Sequence, residues 1–332
     1  MLYAPNRAPS AKEPKPLFFP VSPFLLFSGI QATFRVYLRQ NGKYVLYTRE
    51  EDRLQDTHRQ KLFDMGVRSV YVLSEQKEAY ESYLEEHLDA FLDNETIPSE
   101  QRAETFHSLS SGIVEEFFEH RLPTNAGGPI YDRVQKLVRS SVRFLSKSDS
   151  LRDVSRLITH TYKTYAHCLH VFIYATAIYS TMSGMDEEAL VRNGLGALLH
   201  DIGKTRIDKA VLDKPGKLTD AEWAGMRQHP MHGAAICSNL PLAGDTINCI
   251  LFHHERFDGG GYPAGLVGEA IPLAVRVVTV CDVYDALTSD RAYAPAVTPF
   301  EALSIMRDQM ADHFDMEIYR RLVLVLSGAK VV

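Results

Sequence analysis

Five histidines and two aspartates sit within or at the ends of apolar stretches in the second half of the chain. His167 shares a helical period with Val171, Tyr174 and Ile178. His200 and Asp201 end the apolar run 194–199 and lead into Ile202, Gly203 and Lys204. His229 precedes Pro230, His253 and His254 close the run 247–252, and Asp282 lies inside 277–285. Imidazole and carboxylate groups are costly to bury unless they are paired or bind metal. One such histidine is usually a hydrogen-bonded core residue. This many, on separate elements, point to a metal cluster, and the donor types suit Fe, Mn, Zn, Co or Ni. The cysteines, Cys168, Cys237, Cys249 and Cys281, form no C-x-x-C pair, which argues against a structural thiolate zinc site.

From Ser99 onward the period is helical, broken over 121–129 by Pro123 and the Gly127-Gly128 pair. The preceding segment alternates between strand and helix signals. Phe34 to Arg39 and Tyr44 to Thr48 read as a hairpin about Asn41-Gly42, a dipeptide suited to a type I′ turn. A helix over 49–65, C-capped by Gly66, a strand over 69–73 and a helix over 76–94 follow. Residues 1–16, with four prolines, read as a disordered arm. The expected fold class is α+β: a small N-terminal α/β module over 17–95, linking helices over 96–147, and an all-α helical bundle over 148–332. A length of 332 residues fits two domains.

The net charge of −6 gives no basic field for a nucleic-acid polymer, so a small anionic substrate would need local cations or metals. No apolar stretch approaches the roughly 20 residues of a membrane span. The short apolar run 20–29 contains a proline and does not read as a signal peptide. Four cysteines in apolar surroundings read as reduced, buried thiols, which suits a cytoplasmic protein.

His167, His200-Asp201 and Asp282 follow the H…HD…D order of the HD superfamily of metal phosphohydrolases. The stretches 212–219, 253–263, Ile271-Pro272 and 285–293 resemble the HD-GYP subclass, whose members are cyclic di-GMP phosphodiesterases. The resemblance covers about 160–310 and implies an HD-type helical bundle. It implies two divalent transition-metal ions, Fe or Mn first, then Zn, Co or Ni. His167, His200, Asp201 and Asp282 would hold one metal. Asp201 would bridge to a second, held by His229 and His253 and completed by His254. The implied reaction is hydrolysis of cyclic di-GMP to pGpG by a metal-bridging hydroxide, with further cleavage to GMP left open and Asp201 and Lys204 as catalytic residues. Lys204, Arg291, Tyr262 and Pro263 would contact substrate, and Asp285 and Glu255 would stand behind the ligands.

Two positions depart from the family pattern. Lys163 stands where some members carry a third-metal glutamate, which favours two metals. Ala294 stands where a basic residue is common, which removes one substrate contact. Two alternatives stay open: a phosphodiesterase for another cyclic dinucleotide or nucleotide, and a weakly active cyclic-dinucleotide sensor. The resemblance leaves room for a protein partner at the Gly-Tyr-Pro loop and for a homodimer. His160, His170 and His232 fall outside the pattern and read as non-ligands.

Overall fold

A computed structural model describes residues 17–328, apart from 28, 54, 56, 58–60, 63, 120–127, 159–162 and 292–294. The chain divides into two compact units, one ending at His87 and one beginning at Leu88.

The first unit is built on four strands: β1 (Phe18–Val21), β2 (Val36–Gln40), β3 (Lys43–Thr48) and β4 (Val70–Leu73). They form an antiparallel sheet in the order β1-β4-β2-β3. Asn41 and Gly42 both take positive φ, 49° and 77°, as a type I′ hairpin requires. The sequence reading lacks β1 because Pro20 lies in its middle; the strand runs along a sheet edge, where a missing N–H is tolerated. The helix read over 49–65 does not start at Arg49: Glu51 has φ of 72° and Arg53 bridges to Gln31. Much of the rest of that segment lies outside the described residues. Helix α1 (Lys77–Glu86) buries Tyr80 and Tyr83 with Phe34 edge-on to both rings, and the Tyr83 hydroxyl accepts the Phe27 N–H. The single helix read over 76–94 is broken at His87, where the unit ends.

The second unit contains α2 (Leu88–Leu92), α3 (Ser99–Glu119), α4 (Pro129–Leu145), α5 (Ser148–Ser155), α6 (Thr164–Tyr179) and α7 (Glu187–Leu199). It continues with α8 (Lys209–Leu212), α9 (Asp220–Met226), α10 (His229–Cys237), α11 (Gly244–Phe252), α12 (Leu273–Thr288), α13 (Pro299–Gln309) and α14 (Met316–Ser327). The helices read as linkers over 96–147 pack inside this unit, α3 on α6 and α4 on α7. The reason is an apolar stripe at helical spacing: Val134, Leu137, Val138 and Val142 of α4 are buried, and Arg139 and Arg143 pair with Glu188 and Glu187 at the start of α7. Helix α6 is buried on all sides from His167 to Tyr179 and forms the axis of the bundle. Among the described residues no helix is long and apolar enough to cross a membrane. All four cysteines are buried and free.

Candidate metal centre

Five elements deliver the polar core. His167 projects from α6; His200 and Asp201 follow the last turn of α7; His229 opens α10; His253 and His254 follow α11; Asp282 and Asp285 lie on α12. All are buried except His254, which is partly exposed.

Asp201 is the hub. Its Oδ1 lies 3.1 Å from His229 Nε2 and 3.6 Å from His253 Nε2. Its Oδ2 lies 3.5 Å from His200 Nε2 and 3.6 Å from His167 Nε2. Asp282 Oδ1 stands 3.1 Å from His167 Nε2, and its Oδ2 stands 3.8 Å from His254 Nδ1. Two donor sets result: His167, His200 and Asp282 on one side, and Asp201, His229, His253 and His254 on the other, each within ion-binding reach.

The hydrogen bonds behind the rings fix their tautomers. His200 Nδ1 donates to the Ala197 carbonyl at 2.8 Å, His229 Nδ1 to Met226 at 2.8 Å, and His253 Nδ1 to Ile250 at 3.0 Å. A carbonyl can only accept, so in each neutral ring the lone pair is on Nε2. The Nε2 atoms of His229 and His253 are 3.1 Å apart and neither has a proton to offer the other. His200 Nε2 and Asp201 Oδ1 are buried and make no hydrogen bond. Burial pushes the His200 pKa down to about 3, which keeps that ring neutral. Burial alone would raise the Asp201 pKa, but the Lys204 ammonium beside it holds it well below the usual carboxylate range. Lone pairs gathered on one buried carboxylate repel one another unless a cation sits among them, so these residues fit metal ions.

Asp285 accepts from His167 Nδ1 at 2.7 Å and from His170 Nδ1 at 2.9 Å. Burial opposes its charge, yet these two hydrogen bonds hold its carboxyl well below the usual range. His170, read as a non-ligand, thus shares the acceptor that orients His167; its place three residues on, on the same helix face, was the signal.

Glycine sets the backbone spacing. A Cβ at Gly203 would lie 1.8 Å from the His229 carbonyl oxygen, so the turn after Asp201 can meet the start of α10 only without a side chain. Lys204, on that turn, places Nζ 2.5 Å from Asp201 Oδ2.

The Glu255 carboxylate, expected behind the ligands, accepts the N–H groups of Ala264, Gly265 and Leu266, so it anchors the chain after the cis Tyr262-Pro263 bond. Tyr262 lies against His254, ring centroids 4.8 Å apart. A cavity of about 360 Å³ is lined by His253, His254 and Asp282 and also by Tyr262, Trp223 and Arg227. Trp223 and Arg227 carried no burial or motif signal in the sequence. Lys204, Pro263 and Arg291 are not among the lining residues, and Arg291 is partly buried. Lys163 is exposed at the start of α6, 3.2 Å from the Tyr165 hydroxyl. Ala294 and His160 lie outside the described residues.

Residues 173–318 match the HD domain family model. A cyclic di-GMP phosphodiesterase of Pseudomonas aeruginosa is 40% identical over 185 residues, 55% of this chain and 44% of that protein. A 3′3′-cGAMP-specific phosphodiesterase of Vibrio cholerae is 35% identical over 165 residues, 49% of this chain and 35% of that protein. The chain spans less than half the length of these curated relatives. An HDG"Y"P protein from Bdellovibrio bacteriovorus has a similar fold, with a TM-score of 0.64 at 21% identity over 94% of this chain and all of that one.

Proposed function

We propose that the chain is a cyclic-dinucleotide phosphodiesterase, and that cyclic di-GMP is its substrate, cleaved to pGpG. The observation that carries this reading is the convergence of imidazole Nε2 atoms and two carboxylates around Asp201, beside an open cavity. Two divalent transition metals, Fe or Mn before Zn, Co or Ni, would be held by His167, His200, Asp201 and Asp282 and by Asp201, His229, His253 and His254. When bound, they would polarise a phosphodiester and lower the pKa of water toward neutrality.

The chain's own groups divide the remaining work. Asp201 holds both halves of the centre in one register. Lys204, already 2.5 Å from Asp201, supplies a fixed cation for charge developing on the phosphate. Asp285 keeps His167 in the tautomer that offers Nε2 inward. Arg291 remains a proposed phosphate contact from motif alone, and Tyr262 a proposed substrate contact supported by its place on the cavity wall. The first unit is proposed as a regulatory or interaction module, and a cytoplasmic location fits the reduced thiols.

Relatives divide between cyclic di-GMP and 3′3′-cGAMP phosphodiesterases, so the second substrate belongs in the same assay. Metal-loaded protein is incubated with each dinucleotide and the products are separated by chromatography. Conversion of cyclic di-GMP to pGpG is expected; an unchanged dinucleotide would overturn the reading.

A further inference from the structure

The cavity beside the centre is lined by two chemically unlike groups of residues: His253, His254 and Asp282 from the centre, and Trp223, Arg227 and Tyr262 beside them. Trp223 is the single tryptophan of the chain, and it is 50% exposed on the cavity wall instead of being buried in a core. It lies on α9, whose start is fixed by a reciprocal capping box between Thr219 and Glu222, so the ring sits on a held element. The Arg227 guanidinium lies over the Tyr262 ring at 4.6 Å from its centroid. The same ring is tilted 31° against that of His254. A continuous stack therefore runs from the centre through Tyr262 to Arg227. Among the described residues no carboxylate pairs with that guanidinium.

We propose that Trp223, Arg227 and Tyr262 form a base-binding subsite in which the Arg227 fork selects guanine over adenine. This rests on the reading of the centre as a cyclic-dinucleotide phosphodiesterase. A nucleotide whose phosphate is held at the centre needs a place for its purine in the adjoining cavity. An exposed aromatic ring stacks any base. The guanidinium adds the choice, because its parallel donors match the N7 and O6 acceptors of guanine, whereas adenine presents an amino donor at the second position. Such a subsite admits both cyclic di-GMP and 3′3′-cGAMP, each of which carries a guanine, and disfavours cyclic di-AMP.

The lone tryptophan makes the test direct. Mn²⁺-loaded full-length protein is mixed in a stopped-flow instrument with cyclic di-GMP, 3′3′-cGAMP or cyclic di-AMP. Fluorescence is read before turnover, and KM is taken from product chromatography. The first two ligands should quench Trp223, and cyclic di-AMP should bind about tenfold or more weakly. Arg227→Lys keeps the charge but loses the fork; this residue is exposed, and the variant should retain its metal. It should lose most of the guanine preference, with KM for cyclic di-GMP raised about tenfold. Cleavage of cyclic di-GMP with no quenching, or unchanged discrimination in Arg227→Lys, would overturn the subsite and leave the phosphodiesterase reading standing. Neither binding nor cleavage of any dinucleotide would overturn both.

Discussion

At the scale of single residues, the centre is a problem of uncompensated lone pairs. Asp201 touches both donor sets, so Asp201→Ala should abolish hydrolysis and cut bound metal, with the helical circular dichroism signal retained; normal turnover in that variant would remove the shared-carboxylate account. Gly203 tests backbone spacing. A methyl group there would meet the His229 carbonyl, and overpacking of this kind costs about 1–3 kcal/mol or more. Gly203→Ala should therefore lower the melting temperature and the metal content together. The ligand types were legible because charge inside an apolar run needs a partner. The tautomers were not, although a signal exists in retrospect: His200, His229 and His253 each follow a helix turn and donate Nδ1–H to the carbonyl three residues back, one of the acceptors a helix end leaves open.

At the scale of elements, α12 and α6 are joined across the core by Asp285, which takes a hydrogen bond from each of two histidines on α6. Asp285→Asn keeps the shape but offers only one accepting oxygen. Metal affinity at the His167 side should fall about tenfold or more, as for comparable supporting residues, and a chelator competition measures it. Unchanged affinity would mean that packing alone orients His167. Helical periodicity made most of these elements readable. Edge strand β1 was hidden by Pro20, and the first linker of the sheet by a backbone irregularity at Glu51 that no periodic pattern announces. Trp223 and Arg227 were hidden for a different reason: a cavity wall is made by residues from separate turns, and neither side chain breaks the local pattern of an exposed helix.

At the scale of the whole chain, the compact unit beginning at Leu88 contains every proposed ligand, and α3 and α4 cover its helices. A chain starting at Leu88 should fold, bind metal and keep phosphodiesterase activity, whereas a start after α4 should expose the apolar faces of α6 and α7 and aggregate. Inactivity of the chain starting at Leu88, despite correct folding and metal loading, would assign part of the site to the first unit. The boundary read from sequence fell later because α2 continues the helical signal of α1, and only the packing of Leu88, Phe91 and Leu92 assigns it to the second unit. The central claim is that the buried histidines and aspartates exist to hold metal for phosphodiester cleavage. Its most direct test is to strip the full-length protein with a chelator and titrate Mn²⁺ while following cyclic di-GMP cleavage. The account predicts no cleavage in stripped protein and a rise to a plateau at about two equivalents per chain; undiminished cleavage in the stripped protein would contradict it.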